Sequence, residues 1–245
     1  MKITNTKGIG VDTLKILILG ESGAGKTSLA KTIDEPTIII SAEAGLLCLR
    51  SSSIDVIDIT VDNDGRIIPK EKRIDRLAEA YSYLNTDDAK KKYRWIFIDS
   101  LSEISQNMIE RLQQEFPDRK DSLVLYGENA KRMRSLVKSF RDLPGYNVVF
   151  TALSVVDKDE NNQRFIGPSV VGSFADKLPA FFDEVFYLYV EKNNETGEAS
   201  RKLITEKTDK LMVKDRSGSL AAVEPADLSV IAKKIKSTIT KEKQK

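Results

Sequence analysis

The sequence predicts an α/β fold: a mostly parallel sheet with helices on both faces and an antiparallel hairpin at one edge. Three observations predict it. Leu14–Ile33, LKILILGESGAGKTSLAKTI, reads as a buried strand, a glycine-rich turn and a helix start. Short β-branched runs then alternate with stretches of helical periodicity as far as Asn147. Late in the chain, two strand-like runs flank KNNETGE, a hairpin pattern.

The elements follow in order. Leu14–Gly20 is the first strand, with a helix expected from Gly25 to about Ile33. Thr37–Gly45, TIIISAEAG, is β-branched and ends in a turn, and Ile54–Val61 is a further strand before the turn DNDG. Ile74, Leu77, Ala78, Tyr81 and Leu84 fall on one helical face. Trp95–Ile98 is an apolar strand ending in Asp99. Two helices follow, LSEISQNMIERLQQEF and YGENAKRMRSLVKSFRDLP, the second closed by Pro144. Asn147–Leu153 is a buried strand, and Lys158–Asp176 reads as a long loop. Asp183–Lys192 and Ser200–Thr208 form the hairpin, and Pro225 opens a last helix with Leu228, Ile231, Ala232 and Ile235 on its apolar face. The expected organisation is an N-terminal extension (1–13), a core (14–220) with a flexible loop at about 157–177, and a C-terminal helix with a basic tail (221–245).

Composition narrows the chemistry. With no histidine and one cysteine, Cys48, a structural zinc site of about four ligands cannot be built. No intramolecular disulfide is possible, which fits a reducing cytosol. Acid–base work falls to Asp, Glu, Lys or Tyr. The net charge of +2 excludes a bulk polycation but leaves room for local patches such as AKKIKSTITKEKQK. The N-terminus is too polar for a signal peptide, and no apolar run is long enough for a bilayer. The expected location is the cytoplasm, with no membrane partner.

GESGAGKT matches G-x-x-x-x-G-K-[ST] in full, with Gly20, Gly25, Lys26 and Thr27 at the defining positions. Such a loop turns its backbone N–H groups onto phosphate oxygens. Gly20, Glu21, Ser22, Gly23, Ala24, Gly25, Lys26, Thr27 and Ser28 are the expected nucleotide-binding residues. Lys26 reaches the β- and γ-phosphates of ATP, and the Thr27 hydroxyl is a ligand for Mg²⁺. Asp99 closes a neighbouring strand, where an acid holds the hydration shell of that Mg²⁺; its other reading is a cap on the next helix. Glu43, at the end of the strand after the loop, has three readings on spacing alone: a general base that polarises the attacking water, a solvated turn glutamate, or an acid at a helix N-terminus. The guanine-reading motif of Ras-type GTPases is absent, and an arginine-rich lid of the nucleotide-kinase kind has only Arg164 to draw on.

GESGAGKTSL, IIISAEAGLL and WIFIDSLSEI occur in the order and rough spacing of the RecA-like recombinase core, which this chain resembles. The similarity is closest to the compact bacteriophage RecA-like ATPases implicated in single-strand annealing and recombination. YGENAKRMRSLVKSFRDLPGYNVVFTAL, FADKLPAFFDEVFYLYVE and VKDRSG carry that resemblance, which spans most of Leu14–Gly218. It implies a RecA-type fold, ATP hydrolysis, Glu43 as the water-activating residue and Thr151 as a sensor of the γ-phosphate. Bacterial RecA proteins carry an amide side chain at the sensor position, so this chain departs there; Thr151 also reads as an ordinary β-branched strand residue. The resemblance makes the loop after VVFTAL a DNA-contacting region, in a bacterial host's cytoplasm if the protein is phage-encoded.

RecA-like sites are commonly completed between subunits. Lys214 and Arg216, beside a turn, are candidates to reach a neighbour's ATP in a homo-oligomer, filament or ring; solvated hairpin cations are the alternative. Lys158, Arg164, Phe165 and Lys177 are candidates to bind single-stranded DNA, by charge and by stacking. A single-strand-binding protein is a further candidate partner. The function expected is an ATPase that binds single-stranded DNA and promotes recombination or annealing. A DNA motor or helicase-loading ATPase on the same core is the alternative, and a small-molecule phosphotransferase is a weaker one.

Overall fold

The computed structural model describes residues 13–43, 45–118, 122–158, 162–193 and 195–243. Almost all of the expected N-terminal extension and the last two residues of the basic tail lie outside them.

Ten strands form one sheet: β1 (Lys15–Gly20), β2 (Thr37–Ser41), β3 (Asp55–Asp58), β4 (Trp95–Asp99), β5 (Asn147–Lys158), β6 (Arg164–Pro168), β7 (Glu184–Lys192), β8 (Ala199–Ile204), β9 (Lys214–Asp215) and β10 (Val223–Pro225). Their order is β10-β8-β7-β1-β5-β4-β2-β3, with β6 paired to β5 and β9 to β7. The run from β3 to β7 is parallel; β6, β8, β9 and β10 are antiparallel additions. The fold class is therefore the expected one, α/β with a parallel centre and an antiparallel edge.

The apolar strands are continuous because both faces of the sheet are buried. Leu17 and Leu19 of β1, Ile38 and Ile40 of β2, Ile96 and Ile98 of β4, and Val148 and Phe150 of β5 pack into one core layer. The alternate residues Ile16, Ile18, Ile39, Phe97 and Val149 pack into the other. The first layer is closed by α1 (Lys70–Leu84), α3 (Leu101–Glu115) and α4 (Ser122–Arg141), through Leu77, Ile104 and Met133 among others. The second is closed by α5 (Leu228–Lys243), through Leu228, Ile231 and Ile235, and by Leu29 and Ala30. A short helix, α2 (Asp87–Lys92), precedes β4 and has no counterpart in the sequence reading.

Two elements differ from expectation. The helix after the glycine-rich turn is a six-residue 3-10 helix, Thr27–Thr32, not a helix from Gly25 to Ile33. Ile33 is already extended, and Pro36 forces the chain toward β2, which must start at Thr37. The 3-10 segment is held from outside, since Leu228 N–H donates to Thr32 Oγ1 and Asp34 N–H donates to Ser229 Oγ, both at 2.9 Å. A helix this short has little macrodipole, so the loop's own N–H groups carry any phosphate affinity.

The segment read as a long loop contains a strand. β5 runs on through Val155 and Val156 to Lys158 and turns back as β6, with Lys158 opposite Arg164 and Asp157 opposite Phe165. Beyond β6, Phe174, Leu178 and Phe182 are fully buried and pin the 3-10 helix Ala175–Phe181 to the core.

Candidate functional site

The chain leaves β1, passes over β5 and β4 to build β2, and returns later to place β7 on the other side of β1. The C-terminal end of β1 is thus a switch point, where an open α/β sheet leaves a crevice for a ligand. The glycine-rich loop, Glu43, Asp99 and Thr151 all lie at this edge, at or just beyond the ends of β1, β2 and β4 and midway along β5.

Within the loop, Gly23 and Gly25 have φ of 77° and 101°, a left-handed course that other residues rarely take. Alternation of such residues turns successive N–H groups toward one centre. Gly20 is needed for space: a Cβ there would stand 2.8 Å from the Leu188 carbonyl oxygen of β7. Lys26 is buried, and its Nζ donates to the Gly20 and Glu21 carbonyls, each at 2.9 Å. Burial lowers its pKa, opposed by the nearby Asp99 and Glu43 carboxylates.

Asp99 is the centre of a hydroxyl network. Thr27 Oγ1 donates to its Oδ2 and Thr151 Oγ1 to its Oδ1, both at 2.5 Å. One hydroxyl comes from the loop and one from the strand between β1 and β4, so the carboxylate is fixed in rotation. The following residue, Ser100, is fully buried; its hydroxyl donates to Glu43 Oε1 and accepts the Glu103 N–H that opens α3. Ser41 Oγ donates to the Glu43 carbonyl at 2.5 Å. Glu43, Asp99, Thr27, Lys26 and Thr151 therefore converge on one edge. The helix-capping role read as an alternative for Asp99 is performed by Ser100 instead.

The donor set suits a hard divalent cation. A threonine hydroxyl and a carboxylate at hydrogen-bonding distance are oxygen ligands of the kind Mg²⁺ takes. No group of three or more His, Cys, Asp or Glu side chains able to hold a metal exists among the described residues. Such an ion would depend on phosphate oxygens for the rest of its shell.

The remaining candidates lie elsewhere. Lys158 and Arg164 face each other across the β5–β6 hairpin and are exposed; Phe165 is half-buried beside Gly167. Lys177 is exposed on the 3-10 helix that packs against β6. On α4, Arg132 pairs with Glu115 and Glu128, Lys131 with Glu128, and Arg141 with Asp142. Lys214 is level with Val185 and Leu17, roughly 10 Å down the strands from Gly20. Its Nζ donates to the Pro179 carbonyl, and Arg216 pairs with Asp183 at 2.6 Å. The structure does not bring Lys214 or Arg216 to the phosphate loop of their own chain.

Beside them, Glu184 is buried opposite Asp215. Burial, reinforced by the Asp215 carboxyl, pushes Glu184 up to about 8 from its ordinary 4.5. Asp215 is itself pushed up by burial but more strongly lowered by hydrogen bonds from Ser217 and the Leu220 N–H, so the proton resides on Glu184. Between these values the folded chain holds a proton that the unfolded chain has released. Stability from this group is thus full below about 4.5 and is lost as pH rises through about 8. Glu184→Gln is expected to melt at a less pH-dependent temperature between about pH 6 and about pH 8, with its largest gain over wild type at the upper end. Parallel melting curves for the two proteins would refute this.

Two contacts escape sequence reasoning. Ser100 is visible only as a serine before a helix. Arg201 of β8 meets the phosphate loop, with its Nε donating to the Ala24 carbonyl at 3.0 Å, through hairpin pairing that no local motif marks.

No helix among the described residues is long and apolar enough to cross a membrane. No curated protein sequence matches the chain. Among solved structures, it is similar to the KaiC-like protein PH0186 from the hyperthermophilic archaeon Pyrococcus horikoshii OT3, at 13% identity and a TM-score of 0.41, over 80% of this chain and 79% of that one. A family model described as an AAA domain, AAA_24, matches residues 12–217, and the chain belongs to that family of P-loop ATPase domains.

Proposed function

We propose that the protein is a RecA-like ATPase that hydrolyses ATP at the β1–β2–β4–β5 edge and uses that cycle to bind and release single-stranded DNA in recombination or annealing. The observation that carries this reading is the continuity of β5. Thr151 of that strand bonds Asp99 inside the site, and the same strand runs on to Lys158 in the exposed hairpin. A change at the Asp99–Thr151 bond is therefore transmitted along one rigid element to Lys158, Arg164 and Phe165. These residues, with Lys177, supply charge and an aromatic ring for a strand of nucleic acid.

In this reading the loop N–H groups and Lys26 hold the phosphates. Thr27 and Asp99 hold Mg²⁺, which supplies charge neutralisation at the phosphate oxygens when bound. Glu43 accepts a proton from water as the water oxygen bonds to the γ-phosphorus and the bond to the β–γ bridging oxygen breaks. Ser100 holds the Glu43 carboxylate in place. Thr151 senses the γ-phosphate through Asp99. Lys214 and Arg216, remote from their own loop, act on the ATP of a neighbouring copy in an oligomer.

The test is ATP turnover with and without single-stranded DNA across a salt series, with solution mass measured in parallel with and without nucleotide. Turnover is expected to rise several-fold with DNA, the effect fading as salt increases. Turnover that ignores DNA even at low salt removes the nucleic-acid part. Directional unwinding of duplex would replace it with a motor. Lys214→Ala and Arg216→Ala are expected to weaken turnover and its dependence on protein concentration; unchanged values in both would remove the shared site.

A further inference from the structure

Arg201 stands on β8, one strand beyond β7, which itself lies beside the loop-bearing β1. Its Nε–H donates to the Ala24 carbonyl in the middle of the phosphate loop. A Cβ built on Gly25 would lie 2.3 Å from Nε, 3.0 Å from Cδ and 3.2 Å from Cζ. The guanidinium therefore lies along the loop at Gly25, in space that only a residue without a side chain leaves free. It has no carboxylate partner: among the described residues, no ion pair includes Arg201. The half-buried arginines Arg132 and Arg111, in contrast, are matched to acids, Glu115 and Asp75.

An unneutralised arginine resting on a loop built for anions is an incomplete ion pair. The Nε–H fixes the loop's course at Ala24, and the Nη groups, planar with it, are free to donate to a second acceptor. We infer that Arg201 is a second cation of the nucleotide site, supplied within the same chain by the edge hairpin, which braces the loop at Ala24 and donates through Nη to a phosphate oxygen of a bound nucleoside di- or triphosphate. The inference rests on the reading of this edge as a nucleotide site. The antiparallel edge thereby acquires a role in binding, since β7 and β8 hold the arginine in register, with Val190 opposite Arg201 and Leu188 against Gly20. Lys26 reaches the ligand from inside the loop and Arg201 from outside it.

The experiment is a titration of the full chain with fluorescent ATP and ADP analogues, for wild type, Arg201→Ala, Arg201→Gln, Arg201→Lys and Lys26→Ala, beside melting of each without nucleotide. Arg201→Ala is expected to weaken both analogues about tenfold, as loss of one charge-assisted hydrogen bond does. Its unliganded melting temperature stays near wild type, because the residue is exposed. Arg201→Lys recovers part of the affinity and Arg201→Gln does not, since the charge and not only the brace is needed. Equal affinity of wild type and Arg201→Ala, with Lys26→Ala impaired, overturns this inference and leaves the nucleotide site standing. Full affinity in Arg201→Gln overturns the cation and leaves only a structural contact. Absence of binding in wild type overturns both.

Discussion

Lys26→Ala lowers ATP turnover at least about a hundredfold and leaves the fold intact. The expectation follows from what surrounds the ammonium. It is buried, and its contacts are the Gly20 and Glu21 carbonyls and the fields of Asp99 and Glu43. Burial disfavours the charge and the two carboxylates offset part of that cost, so the arrangement holds a cation where a polyanion adds further stabilisation. On truncation the Gly20 and Glu21 carbonyls lose their donor, but Glu21 is exposed and water reaches that end of the loop. The stability cost is about 1 kcal/mol, that of an ordinary hydrogen bond. The loss at the transition state is larger, because charge accumulating on the phosphate oxygens meets no counter-charge from the loop; two orders of magnitude correspond to about 2.7 kcal/mol. Steady-state turnover at saturating ATP, with circular dichroism melting as the control for folding, measures both. Turnover within about threefold of wild type, in a protein that melts normally, would falsify the placement of the phosphates on this loop.

How much of this was legible in the sequence depends on whether a feature is local. The glycine-rich loop and Asp99 were, because strand, turn and acid are contiguous in LKILILGESGAGKT and WIFIDS. The two-faced burial was also legible, since runs such as Ile38–Ile40 carry no polar alternation. The helix after the loop was overestimated because its end is imposed by α5 and by the start of β2, not by its own residues. The β5–β6 pairing was hidden because the sequence between the two strands is polar, as a loop's is; the signal available was the β-branched Val155–Val156 continuing past the core. Contacts of long sequence separation were out of reach. Ser100 meets Glu43 across 57 positions and Arg201 meets Ala24 across 177, and neither pair is announced by spacing.

The same distinction bears on which residues can be exchanged cheaply. Thr27, Thr151 and Asp99 form one unit, in which each carboxylate oxygen has its own hydroxyl donor. Substitutions there are expected to be non-additive, since loss of either hydroxyl frees Asp99 to rotate away from the other. Glu43 stands outside that unit. It is tied to it through the Ser100 hydroxyl and through the adjacent Ala42 N–H, which donates to the Asp99 carbonyl at 2.6 Å. Its side chain can therefore be altered with the metal-holding geometry intact.

Glu43→Gln accordingly separates binding from hydrolysis. Glutamine has the shape of glutamate, and its amide oxygen can still accept the Ser100 hydroxyl now bonded to Oε1. The Ser41 contact is to the backbone carbonyl of residue 43 and is unaffected. Among the described residues, the phosphate loop makes no hydrogen bond or ion pair with the changed group and meets it only through its field at Lys26, so nucleotide affinity is expected to stay within about threefold of wild type. Water activation, in contrast, loses its base, and general bases contribute about 10²–10⁴ in rate. With no histidine in the chain, the buried carboxylate beside Glu43 at this edge is Asp99, which is held by two hydroxyls and directed toward Thr27. Single-turnover hydrolysis of bound ATP should fall at least about a hundredfold while binding persists. Ser100→Ala makes the companion measurement: it leaves the base but removes its tether, so kcat should fall about tenfold without loss of affinity. Hydrolysis at the wild-type rate in Glu43→Gln would transfer the role of base to another group. A matching loss of binding and rate would mean that Glu43 shapes the pocket and does not act on water.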